Sequence, residues 1–203
     1  MNNKNARSKE KRTGSSGEIR IIAGTWRGRK LPVLTRSGLR PTTDRIKETV
    51  FNWLAPYVPS AVCLDCYAGS GALAFEAVSR GANAATLLEK NHTVYLQLTA
   101  NRNKLNASTL TLIHADTLDY LQSATPSPFD IAFVDPPFDE NLVPETAALL
   151  EEKGWLSNTA LIYIETRCSQ DPLSLPVNWY PYREKKAGQV CYRLYQRHDA
   201  AYQ

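Results

Sequence analysis

A chain of 203 residues, 43% of them apolar, is long enough for one sizeable core, and no apolar run approaches the ~20 residues that cross a bilayer. The polar N-terminus lacks the apolar centre of a secretion signal, so a cytoplasmic protein is expected, with no membrane partner. Charge is split unevenly: residues 1–47 hold 13 Lys and Arg against Glu10, Glu18 and Asp44, a balance of +10, while the whole chain is +4 and residues 48–203 therefore carry −6. That profile suits a basic arm for a polyanion on a body left for chemistry, although a solvated basic tail without a partner has the same composition.

Taken in chain order, residues 1–17 are Asn-, Lys-, Arg-, Ser- and Gly-rich and read as a disordered basic tail. Residues 18–40 read as a small basic β-hairpin extension. Ile19–Ile22 and Lys30–Leu34 are its strands, and Gly24-Thr25-Trp26-Arg27-Gly28 is its turn, with Trp26 exposed or packed down on the body. Residues 41–203 form the main domain. Its first helix, Asp44–Leu54, carries apolar residues at Ile46, Val50, Trp53 and Leu54, with Thr42 or Thr43 as the cap. Strands are predicted at 61–66, 84–89, 109–114, 129–134 and 159–165, and helices at 71–80, 92–105, 117–123 and 143–153. This alternation predicts an α/β, Rossmann-like, mostly parallel sheet, and Trp179–Lys185 with Gln189–Gln196 adds an antiparallel C-terminal hairpin to make seven strands.

Four cysteines do not make a disulfide framework in a chain of this size. Cys63 and Cys66 have C-x-x-C spacing, but strand residues three apart point to opposite faces and cannot chelate together. Buried structural thiols are expected, and no metal.

Two segments carry chemistry. Asp65-Cys66-Tyr67-Ala68-Gly69-Ser70-Gly71 joins a strand to a helix through a tight glycine turn, where backbone approaches a ligand closely and the helix start offers amide donors. Glu89 ends the next strand, where an acid can accept from ribose hydroxyls, and Asp116 follows the third, where it can accept from an adenine amino group. Gly69-x-Gly71-x-x-Ala74 also fits a loose dinucleotide fingerprint. Asp65 before the turn disfavours a pyrophosphate, and it would suit a cationic sulfonium cofactor with an ammonium tail.

The second segment lies 64 residues after Gly71. Phe129–Val134 reads as a buried strand ending at Asp135-Pro136-Pro137-Phe138. The two prolines remove two backbone donors and hold their carbonyls in a rigid display. A carboxylate, a fixed carbonyl and an aromatic face suit a flat base bearing an amino group, with acceptors for its NH2 and a ring to stack on. The bland reading is a Pro-Pro loop closing a strand, with Phe138 packed as core.

As a set, Asp65-x-x-x-Gly69-x-Gly71, Glu89, Asp116 and Asp135-Pro136-Pro137-Phe138 resemble the class I S-adenosylmethionine-dependent methyltransferases that act on exocyclic amines. Gly24-x-x-x-Gly28-Arg29, Arg40-Pro41-Thr42 and Arg45-x-Lys47-Glu48 narrow the resemblance to the RsmD family of 16S ribosomal RNA guanine-N2 methyltransferases. It covers nearly everything from residue 18 to 197, with Cys66-Tyr67 where the family more often has a Leu-Phe pair.

The resemblance implies an enzyme that methylates N2 of one guanine of 16S rRNA, position 966 in standard numbering, in the assembled small ribosomal subunit. A monomer is expected, although nothing in the residues fixes the oligomeric state. It implies catalytic roles for Asp135, Pro136 and Phe138, and cofactor contacts from Asp65, Ala68, Gly69, Gly71, Glu89 and Asp116. Thr42 would join these, since the family places the Arg40–Thr42 segment near the site. Arg20, Trp26, Arg27, Arg29, Lys30 and Arg40 are the candidates for RNA contact. An adenine-N6 or cytosine-N4 methyltransferase would use the same Asp-Pro-Pro-aromatic segment, and a non-catalytic RNA-binding assembly factor could keep the same fold.

Overall fold

The βα alternation of the sequence becomes one sheet with helices on both faces. A computed structural model describes residues 16–34 and 43–199. Strands β1 (Ser16–Arg20) and β2 (Lys30–Leu34) pair as an antiparallel hairpin. Then follow α1 (Asp44–Leu54), β3 (Val62–Asp65), α2 (Ala72–Ser79), β4 (Ala84–Leu88), α3 (His92–Leu105), β5 (Leu110–Ile113) and α4 (Thr117–Ser123). The rest is β6 (Phe129–Val134), α5 (Val143–Glu152), β7 (Leu156–Arg167), a 3-10 turn (Cys168–Gln170), β8 (Trp179–Ala187) and β9 (Val190–Arg197). The seven-stranded sheet runs β5-β4-β3-β6-β7-β9-β8. Strands β5 to β7 are mutually parallel, and β9 is antiparallel to both β7 and β8.

Side-chain parity sorts the core into two layers. Cys63, Ile131, Phe133, Leu161 and Tyr163 belong to a cluster with the β1–β2 hairpin and α1 to α3, whereas Leu64, Ala132, Val134, Ile162 and Ile164 pack with α4 and α5. A parallel strand buried on both faces reads as an unbroken apolar run, which is why these strands were predictable. Strand β7 is longer than its predicted 159–165. It begins opposite Phe129 and ends opposite Val190, so pairing on both sides extends it beyond its apolar stretch.

Helix starts follow local chemistry. Thr43 Oγ1 accepts from Ile46 N at 3.4 Å, and α1 then buries Ile46, Val50, Phe51 and Leu54 at helical spacing. Thr42, the alternative cap, and Arg40 lie outside the described residues. Asn91 and Asp116 cap α3 and α4 with their side chains, and α5 opens with a proline in its first turn, where no amide is needed.

Three expectations change. The expected tail boundary at residue 17 gives way to a strand that begins at Ser16, while residues 1–15 lie outside the described residues. The hairpin is no loose extension: of the two readings of Trp26, the packed one holds, half-buried against the first cluster, and Ile19, Ile21, Leu31 and Val33 of the hairpin segment are core residues of the same cluster. The cysteines divide: Cys63 on β3 and Cys66 just after it are buried free thiols in the two different core layers, but Cys168 and Cys191 form a disulfide. Antiparallel pairing puts Cys191 opposite Thr166, two residues from Cys168, a juxtaposition that a 23-residue separation does not announce. Burial pushes the Cys63 thiol up to about 12 and raises Cys66 well above its ordinary value, so both are inert packing groups. Among the described residues no helix is long and apolar enough to cross a membrane.

Candidate active site

Four acids gather at one edge of the sheet because four adjacent parallel strands end there. Asp65 is the last residue of β3, Glu89 follows β4, Asp116 lies just beyond β5, and Asp135 follows β6. In open α/β sheets this carboxyl edge is where ligands bind.

The turn after β3 is held from every side. Ala68 N donates to the Leu88 carbonyl at 3.0 Å, and Gly71 N donates to the Ala68 carbonyl at 2.6 Å. Gly71 caps α2 at φ +75°, and a Cβ there would lie 2.6 Å from the Phe75 ring and 2.8 Å from Leu98. Only glycine fits this position. Gly69 N donates to Glu89 Oε2 at 3.0 Å, while Glu89 Oε1 accepts from Asn91 N at 2.7 Å. Glu89 thus binds the turn to the start of α3 and stands beside the glycines.

Asp65 sits differently from the expectation that it faces a ligand. It is 2% exposed, beneath the turn, accepting from the backbone of Tyr67 and Ala74. Burial drives its pKa up to about 7, opposed by those two hydrogen bonds and reinforced by nearby Glu89. Its first task here is to brace the turn. Thr117 donates to the Cys66 carbonyl, and the Tyr67 hydroxyl bonds Thr146 Oγ1 at 2.6 Å, tying the same turn to α4 and α5. Asp116 Oδ1 accepts from Leu118 N at 2.9 Å, which fixes its carboxylate at the edge beyond β5.

Asp135 is half-buried, Pro136 buried, Pro137 exposed and Phe138 half-buried. Phe138 belongs to neither core cluster, contrary to the bland reading of it as core. Its ring is faced by the Arg167 guanidinium, 5.8 Å from the centroid, and its carbonyl accepts from Gln170 Nε2 at 3.2 Å. Arg167 also pairs with Asp139 at 3.1 Å, and Lys90 pairs with Glu140 at 3.2 Å. The loop is therefore clamped from β7 and from the segment after β4.

Sequence reasoning missed Tyr163 and Glu165. The β6–β7 register pairs Val134 with Ile164, so Asp135 and Glu165 follow side by side on neighbouring strands. The Tyr163 hydroxyl donates to Glu165 Oε2 at 2.7 Å, and the Tyr163 phenol is raised by burial, then by both Glu165 and Asp135. Burial raises the Glu165 carboxyl, partly offset by the Tyr163 hydrogen bond. A signal existed: a second apolar strand, Ala160–Ile164, also ends in an acid.

The expected RNA contacts lie elsewhere. Thr25 N and Trp26 N donate to the carbonyl and hydroxyl of Ser79, the last residue of α2, so the hairpin turn sits at the opposite end of the sheet from Asp135. Arg20 pairs with Asp44 and Lys30 with Glu18, while Arg27 and Arg29 are exposed.

Comparison with known proteins fits this geometry. A family described as "Conserved hypothetical protein 95" matches residues 19–196. The ribosomal RNA small subunit methyltransferase D of Escherichia coli strain K12 is 54% identical over 183 residues, covering 90% of this chain and 91% of that protein. The chain belongs to this RsmD family. The solved structure of Escherichia coli yhhF, 53% identical, superposes with a TM-score of 0.82 over 90% of this RsmD-family chain and 99% of its own. An RNA methyltransferase from Salinibacter ruber in complex with S-adenosyl-L-homocysteine shares the fold, with a TM-score of 0.61 at 15% identity over 79% of this chain and 95% of that one.

Proposed function

We propose that this RsmD-family enzyme transfers a methyl group from S-adenosylmethionine to the exocyclic N2 of a guanine in 16S rRNA, with the assembled small subunit as substrate. One observation carries the reading: the Asp135–Phe138 loop, with a carboxylate, a proline carbonyl and an aromatic ring outside the core, shares its sheet edge with the glycine turn. The donor set fits the cofactor. Glu89 and Asp116 suit a ribose and an adenine amine, the Gly69–Gly71 backbone suits an amino-acid tail, and the surrounding acids suit a cation. When bound, S-adenosylmethionine supplies an electrophilic methyl group.

The chain's own residues do the rest. The guanine N2 lone pair is delocalised into the ring and is a poor nucleophile. Asp135 and the Pro136 carbonyl accept hydrogen bonds from its two N–H groups, orient the nitrogen and stabilise the positive charge that grows on it. Asp135 holds the departing proton only after methylation, so it need not be a strong base beforehand. Phe138 stacks on the base, an interaction worth ~1–3 kcal/mol, and Arg167 and Gln170 hold that ring in place.

The test is transfer of labelled methyl to unmodified small-subunit particles, free 16S RNA and DNA, followed by nucleoside analysis. N2-methylguanosine at one site, strongest with particles, is expected. Label on adenine N6 or cytosine N4 would overturn the base assignment, and no label on any nucleic acid would overturn the reading altogether.

A further inference from the structure

The site edge is acidic, and a polyanionic substrate must nevertheless dock there. Glu89, Asp116, Asp135, Asp139 and Glu140 all lie at or just beyond the carboxyl ends of the parallel strands. The cations that clamp the loop are already engaged: Lys90 with Glu140, and Arg167 with Asp139. The basic turn of the N-terminal hairpin is bonded to Ser79, about 12 Å away along the eight residues of α2. Among the described residues, phosphates flanking a base at Asp135 therefore need positive charge from another element.

The geometry points to the tip of the β8–β9 hairpin, with Lys185 and Lys186, as a clamp for the RNA backbone beside the target base. The inference rests on the proposed rRNA substrate. Strand β7 is parallel to β6, so Arg167 ends at the edge that holds Asp135. Val190 pairs with Arg167, and the turn between Ala187 and Val190 therefore rises at that same edge. Lys185 lies opposite Tyr192 and Lys186 opposite Cys191, so successive residues place one cation on each face of the ribbon. Both are exposed, and neither pairs with a carboxylate among the described residues. Glu184, the acid beside them, lies 3.6 Å from Arg193. A Cβ added at Gly188 would meet nothing within 4 Å, so the tip stands clear of the body.

The tip is also joined to the catalytic loop. Cys191 at the base of β9 is bonded to Cys168, and Cys168 N donates to the Gln189 carbonyl at 2.9 Å. Cys168 opens the turn whose Gln170 holds the Phe138 carbonyl, and Arg167 just before it faces the Phe138 ring. Backbone gripped at Lys185 and Lys186 is thereby set in register with the stacking face for the base, through β9 and the 168–170 turn.

The experiment measures methyl transfer to unmodified small-subunit particles across a salt series, for the full-length wild type, Lys185→Ala/Lys186→Ala and Lys185→Arg/Lys186→Arg. S-adenosylmethionine affinity is measured as the control for folding. The alanine pair should raise KM for particles about tenfold near 0.15 M salt, leave kcat within about twofold, and lower the slope of log KM against log salt by roughly 1.5. The arginine pair should restore both. Arg27→Ala/Arg29→Ala, at the far end of the sheet, should change KM less. An alanine pair with wild-type KM and salt slope would overturn the clamp while leaving the substrate reading intact. A wild-type enzyme that labels no RNA would overturn the substrate reading and the clamp with it.

Discussion

Asp65 shows how a single side chain can serve a turn at the expense of its own ionisation. It is 2% exposed beneath the glycine turn, and burial lifts its pKa to about 7. A carboxyl whose folded pKa lies above its unfolded value binds more protons in the folded state. Its contribution is full below about 4 and is lost as pH rises through about 7. The three-unit shift corresponds to about 4 kcal/mol at most. Without cofactor, the wild type should lose stability to urea over that range, and Asp65→Asn should lose less. The difference isolates Asp65 from Glu165, whose raised pKa acts in the same direction. Parallel pH profiles for the two proteins would contradict the buried, proton-holding role. Neither that burial nor the Tyr163–Glu165 pair was legible in the sequence, because both depend on which strands become neighbours.

Among the elements, the N-terminal hairpin departs furthest from its expected place. Its strands were readable from alternation and from glycines around a turn, but the face it packs on was not. Burial of Ile19, Ile21, Leu31 and Val33 against α1 to α3 makes it part of the core, and Gly24 lets its turn close on α2. A Cβ at Gly24 would lie 1.7 Å from the Ser79 carbonyl oxygen, at φ +79°. Gly24→Ala should therefore cost about 2 kcal/mol or more in urea unfolding, while kcat per folded molecule stays near wild type. An unchanged unfolding midpoint would show that the turn does not depend on this contact. The Cys168–Cys191 pair was hidden for a related reason: long-range β7–β9 pairing, and not spacing along the chain, brings the two together.

At the scale of the whole molecule, the parallel sheet converts sequence order into a chemical edge. The fold was legible because each buried parallel strand is an apolar run followed by a glycine turn, an acid or a proline pair. The site was legible where its residues follow those strands directly, as Asp135 and Glu89 do. It was not legible where support crosses between elements, as in the clamp of Phe138 by Arg167 and Gln170. Charge asymmetry was readable, but its geometry was not: the basic hairpin turn lies at the end of the sheet remote from the acids.

The central claim is that the loop beginning at Asp135 performs the chemistry while the glycine turn holds the cofactor. The measurement that tests it most directly pairs S-adenosylmethionine titration calorimetry with single-turnover methyl transfer for Asp135→Ala. Cofactor affinity within about threefold of wild type, with transfer reduced by at least about 10²-fold, is the predicted result. Transfer at the wild-type rate in that variant would contradict the account.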